Sequence, residues 1–128
     1  MRKNMRARGH QNREMNPETY KLRRKVIDLV YEAKRISAVE LPRIDVRITD
    51  CNREGTLGTA RMGDRIVWIP ATSTDRDDLR HIVFHEILHA VFGQPHVKGC
   101  PLMDAHISKV PTSEIDRLFR HYTAKIFR

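Results

Sequence analysis

Long apolar runs are missing from this 128-residue sequence. No stretch approaches the roughly 18 consecutive apolar residues of a membrane span, and the N-terminus lacks the apolar core of about 7–15 residues that marks a secretory signal. These absences predict a soluble, cytoplasmic protein with no membrane partner. Cysteine is scarce too: Cys51 and Cys100 form neither a C-x-x-C pair nor a disulfide framework, which fits a reducing compartment and leaves a single Cys51–Cys100 bridge as the one possible pairing. Aromatic residues make up 6%, with none before Tyr20, so the first residues offer bases no stacking platform. No internal repeat is present. What the chain does have is 40% apolar and 31% charged residues, an ordinary globular balance. The length suits one small domain with a real core and excludes a multidomain assembly.

The net charge of +8 is unevenly spread. Residues 1–25 hold nine Lys and Arg against Glu14 and Glu18, while the remaining residues hold 15 basic and 14 acidic groups. Residues 1–15 therefore read as a flexible basic arm, and residues 16–128 as a single, nearly neutral domain expected to be monomeric. The arm is the candidate for contacting nucleic acid or an acidic surface; a solvated tail is the competing reading.

Asn16-Pro17-Glu18 carries the signals of a helix start, and Leu22, Val26, Leu29, Val30 and Ala33 set one apolar face of a helix to about Ser37. Alternation of Ile44, Val46 and Ile48 with charged residues predicts a short strand. Two further segments, Leu57 to Met62 and Arg65 to Ile69, flank Gly63-Asp64 as a hairpin that Pro70 stops. Thr74 and Asp77 resemble a capping box opening a second helix that runs to Phe92 and ends at Gly93. A loop from Gln94 to Pro111 follows. Thr112 is the expected cap of a closing helix with Ile115, Leu118, Phe119, Tyr122 and Ile126 as its buried stripe.

The chemistry sits in His85-Glu86-Ile87-Leu88-His89. Positions i and i+4 lie about 40° apart around a helix and about 6 Å apart along it, so the two imidazoles can converge on one metal ion. Glu86, about 60° from His89, reaches a metal-activated water without ligating the metal, which is where a general base is wanted. A bland amphipathic helix is the alternative, but an apolar helix has no need of two imidazoles and a carboxylate together. His81, about 12 Å from His89 along the axis, cannot share the ion with it and reads as a supporting residue. An open catalytic zinc site needs a third protein ligand. His96 is the first choice because Gly93 lets the chain turn back; Glu114 from the closing helix and Cys100, Asp104 or His106 from the loop are rivals.

His85-Glu86-x-x-His89-x-x-x-Gly93-x-x-His96, followed by Cys100-Pro101-Leu102-Met103, resembles the long motif and methionine turn of the metzincin zinc peptidases. The similarity spans about residues 65 to 124, with Pro111 to Phe119 similar to the closing helix of matrixin-like members. It departs at one point: three residues, Ala90, Val91 and Phe92, stand between His89 and Gly93 where the family has two. The Gly93-Gln94-Pro95-His96 segment also resembles the intracellular DNA–protein crosslink proteases. The resemblance implies an α+β, minimal metzincin-like zincin domain: a small mixed sheet of three or four strands, an N-terminal helix, the active-site helix and a C-terminal helix. It implies Zn2+ held by His85, His89 and His96, Glu86 as general base, Met103 as the floor of the site, and a substrate-pairing edge strand at Ile66, Val67 and Trp68.

The sequence thus points to a zinc-dependent endopeptidase acting on a protein or peptide substrate. Two alternatives stand beside it. One is a nucleic-acid-associated, SprT-like or crosslink-type protease targeted by the basic arm. The other is a non-catalytic binding module in which zinc is structural, which would need a fourth protein ligand such as Cys100 or His106 and would leave Glu86 idle.

Overall fold

The computed structural model describes residues 17–49, 59–60, 65–71, 78–107 and 109–125. The basic arm, Cys51, the Gly63-Asp64 turn, Thr74, Asp77 and Ile126 lie outside these residues. Among the described residues three helices and a small sheet make an α+β fold. Helix α1 spans Pro17–Ile36, with Pro17 at its first position and Glu18 in its first turn, where the positive helix end favours a carboxylate. The predicted apolar stripe is in place: Leu22, Val26, Val30 and Ala33 are buried.

Strand β1, Asp45–Thr49, follows with Val46 inward. Strands β2, Thr59–Ala60, and β3, Ile66–Pro70, complete the sheet. Its order is β1-β3-β2. β1 runs parallel to β3 with Val46 opposite Val67, and β2 runs antiparallel to it with Ala60 opposite Val67. The expected edge strand Ile66-Val67-Trp68 is therefore the middle strand. Its Val67 and Ile69 are fully buried, and its hydrogen-bonding groups are taken by neighbours on both sides, so it is not the edge that a substrate would join. Pro70 is the last residue of β3 rather than a stop before it, pairing with Thr49 where the ladder no longer needs its missing N–H.

Helix α2, Leu79–Phe92, is preceded by Asp78, whose side chain makes no capping hydrogen bond. The described helix starts one residue later than Asp78 and short of the predicted Thr74 cap. Every residue from His81 to Ala90 is buried, because α1, α3, β2 and β3 surround this helix. A helix enclosed on all sides carries apolar residues all round, and its few polar groups must be accounted for by specific partners. Helix α3, Thr112–Lys125, begins with Thr112 already helical; the Pro111 carbonyl accepts from Ile115 N–H at 3.1 Å, so Pro111 takes the capping position assigned to Thr112. Ile115, Phe119 and Tyr122 face the core, and the Phe119 ring packs on Phe84 at 4.7 Å between centroids.

Polar staples fix the helices around α2. Arg80 donates two 2.9 Å hydrogen bonds to Asp116 on α3, lies 3.6 Å from Glu32 on α1, and stacks 4.8 Å from the Phe84 ring centroid. Arg120 donates to the Ile36 carbonyl at 3.0 Å, satisfying the C-terminal end of α1, and Thr123 accepts from Ala38 N–H at 2.9 Å. None of these helices is long and apolar enough to cross a membrane.

Candidate metal centre

α2 ends where Gly93 adopts a left-handed conformation with φ of 65°. An L side chain resists that conformation, and glycine does not. The Gly93 N–H donates to the His89 carbonyl at 3.1 Å and Gln94 N–H to the Leu88 carbonyl at 3.0 Å. Gly93 stands four positions after His89, about one helical turn, with Ala90, Val91 and Phe92 between them, so the additional residue of this motif is absorbed inside the helix and the cap closes on the backbone of His89 itself. The chain then reverses and brings His96 back to the helix it has left.

His85, His89 and His96 form one cluster in which a ligand nitrogen from each lies within 4.8 Å of the others. Ring centroids are 4.6 Å apart for His85 and His89, 4.7 Å for His89 and His96, and 5.2 Å for His85 and His96. His85 and His89 are buried, while His96 closes the cluster from the solvent side.

The hydrogen bonds fix how these rings can be used. His85 Nδ1 lies 2.7 Å from the Leu102 carbonyl, and His89 Nδ1 lies 2.5 Å from the Gln94 carbonyl. A carbonyl only accepts, so each Nδ1 carries the proton and donates it. That leaves both Nε2 atoms as bare acceptors, and they face each other at 3.1 Å. Two lone pairs at that distance repel unless an electrophile lies between them. With metal–nitrogen bonds of about 2.0–2.1 Å, a 3.1 Å separation corresponds to an angle of roughly 100° at the ion, within reach of tetrahedral geometry. Histidine ligands anchored through the second ring nitrogen to a backbone carbonyl are the usual support of a protein metal site. The donor set therefore fits a metal ion.

Burial tunes the same groups. It depresses the His85 pKa to about 4, against the opposing pull of the Leu102 carbonyl, with the neighbouring His89, His96 and His81 adding to the fall. His89 is lowered for the same leading reason. Both imidazoles thus stay neutral, the form that binds metals. Glu86 moves the other way, pushed up to about 7 by desolvation.

Met103 is fully buried in the core, and its carbonyl accepts from the N–H of Val97, next to His96. The turn that supplies Leu102 to His85 is thus tied to the strand of chain that supplies His96. His81 is buried near His85, outside the triad. The rival third ligands are elsewhere. Glu114 pairs with Arg117 at 2.7 Å, Asp104 accepts from the backbone N–H groups of Gly99 and His106, and Cys100 is a free thiol accepting from Tyr122 Oη at 3.2 Å. These residues and His106 line a separate cavity of about 510 Å³ that none of the three clustered histidines enters. Sequence reasoning did not find the Leu102 and Gln94 carbonyls, since a backbone acceptor leaves no mark in side-chain chemistry.

Comparison with models of protein families, with curated proteins and with solved structures finds no match.

Proposed function

We propose that the chain is a zinc-dependent endopeptidase of the metzincin type, with the metal held by His85, His89 and His96. The observation that carries the proposal is the pair of facing Nε2 atoms at 3.1 Å, each made a pure acceptor by a carbonyl on its Nδ1. Three nitrogen ligands suit zinc, and among the described residues the cluster stops at three. A structural site would close with a fourth protein ligand; a catalytic one keeps a position for substrate and water. This favours catalysis over a metal-stabilised binding module.

Zinc, when bound, supplies Lewis acidity that polarises the scissile carbonyl and brings water toward ionisation near neutral pH. Glu86 follows His85 directly on α2, and burial pushes its pKa up to about 7, into the range of a general base. It takes the proton of the attacking water and returns it to the departing amine. Met103 holds the loop under the site in place. An extended substrate would pair with an outer strand rather than with β3; β2 is the outer strand that packs against α2, which makes Thr59–Ala60 the edge of choice.

The test is cleavage of an unfolded protein substrate by the zinc-loaded chain, with and without chelator, beside Glu86→Ala. Chelation is expected to abolish cleavage, and Glu86→Ala to lower it by at least about 100-fold with one zinc still bound. Equal turnover by Glu86→Ala, or one bound zinc with no cleavage by either protein, overturns the reading.

A further inference from the structure

The face of α1 that points away from the core carries a pattern its packing does not use. Its inward stripe, Leu22, Val26, Val30 and Ala33, is spent on the core. On the opposite side Tyr20, Arg24 and Tyr31 fall at i, i+4 and i+11, in one line along the helix, with the half-buried Ile27 between them packing against the core. Tyr20 is 66% exposed and Tyr31 63% exposed, the two most exposed large apolar side chains described. A tyrosine presents an apolar ring and a polar tip, which suits it to contact surfaces.

Cations surround both rings. Lys21, Arg23 and Arg24 line a concavity of about 480 Å³ together with Pro17, Tyr20 and Ile27. At the other end the Lys34 ammonium sits 5.4 Å from the Tyr31 ring centroid, and Arg35 lies one residue further. Acidic groups on this side are already engaged: Asp28 lies 3.7 Å from Arg24, and Glu32 pairs with Arg35 and approaches Arg80. The Arg24–Asp28 pair is largely exposed on both sides, an arrangement worth little and readily exchanged for a phosphate.

We infer that this face of α1 binds single-stranded nucleic acid, with Tyr20 and Tyr31 as base-stacking platforms and Lys21, Arg23, Arg24 and Lys34 as phosphate contacts. The two rings stand about 16 Å apart along the axis, with cations between and beside them. Alternating stacking surfaces and positive charge is how proteins hold unpaired strands, because every base has a π-face and every linkage a phosphate. A duplex hides its base faces and could not use the tyrosines. A lipid surface would need an apolar face free to insert, and that of α1 is buried. The inference stands independently of the peptidase reading.

The experiment is fluorescence anisotropy of the full chain with a labelled oligothymidylate of about 20 nucleotides, titrated across salt concentrations. Binding is expected to weaken steadily as salt rises. Combined Tyr20→Ala and Tyr31→Ala should reduce affinity roughly 10- to 100-fold, whereas Tyr20→Phe with Tyr31→Phe, which keeps both rings, should stay within about threefold of wild type. Arg24→Glu with Lys34→Glu should lower affinity and flatten the salt dependence. Circular dichroism spectra and urea-unfolding midpoints unchanged from wild type establish that each variant is folded. The inference is overturned if the wild-type chain does not bind the strand or if the double alanine variant binds as tightly as wild type. It is equally overturned if a duplex of the same length, or vesicles of phosphatidylcholine and phosphatidylserine, are bound in preference.

Discussion

Glu86 and the histidines beside it pull the stability of the metal-free chain in opposite directions as pH changes. Burial lowers His85 from 6.5 to about 4, so its contribution is fully present above pH 6.5 and is lost as the pH falls toward 4; His89 acts in the same sense. Glu86 is raised from 4.5 to about 7, so its contribution is present below pH 4.5 and is lost as the pH rises through 7. Across that window the carboxyl offsets much of what the imidazoles gain. In chelator, Glu86→Gln is therefore expected to become more stable between pH 4.5 and 7, by a few kcal/mol at most, while wild type changes less. Urea unfolding at the two pH values measures it, and equal changes in the two proteins would remove the assigned role of burial at Glu86. The identity of these side chains was plain from their i, i+4 spacing. Their ionisation was not, since it follows from the enclosure of α2 and from the carbonyls of Leu102 and Gln94, which no residue type announces.

The turn at Gly93 joins the helix that carries two of the clustered histidines to the loop that carries the third. A Cβ built there meets nothing within 4 Å, so Gly93→Ala costs only the left-handed backbone, about 1–2 kcal/mol. Gly93→Asn, which tolerates that conformation better, should lose less. Chemical denaturation of the metal-free variants checks the order glycine, asparagine, alanine, and an alanine variant as stable as wild type would show that the cap has another source of stability. Helices α1 and α2 and the strand β1 were readable because period and terminators are local properties. The rank of β3 in the sheet was not. Its hairpin partner β2 is a neighbour in sequence, but the second partner β1 reaches it across about twenty residues, and that pairing turned an expected edge into the centre. The described helix α2 begins at Leu79, and the Thr74 and Asp77 of the expected capping box lie outside the described residues.

Taken as a whole, the molecule gathers the three clustered histidines from two parts: α2, packed against α1, α3, β2 and β3, and the loop through His96 and Met103. A metal ion bound there ties the loop to the core and is bound only by the folded chain. Zinc at about 1,000 times its dissociation constant should stabilise the protein by about 4 kcal/mol, and chelation should lower Tm accordingly. His96→Ala should lose most of that zinc-dependent rise while retaining the metal-free Tm, since His96 is exposed. A full zinc-dependent rise in His96→Ala, followed by differential scanning fluorimetry, would exclude it as the third ligand. The separation of Glu114, Cys100 and His106 into a different cavity is likewise a property of the assembled fold.

Local chemistry written in the chain was sufficient for the course of the helices, the glycine terminator, the convergence of His85 and His89 and the return of His96 toward them, because each depends on spacings within about one or two helical turns. The order of the strands, the Leu102 carbonyl that sets the His85 tautomer, the desolvation of Glu86 and the separation of Glu114, Cys100 and His106 from the histidine cluster came from contacts between segments remote in sequence. Those contacts form only when the apolar surfaces of α1, α3 and the sheet close around α2, and burial is a property of that closure rather than of any residue within it.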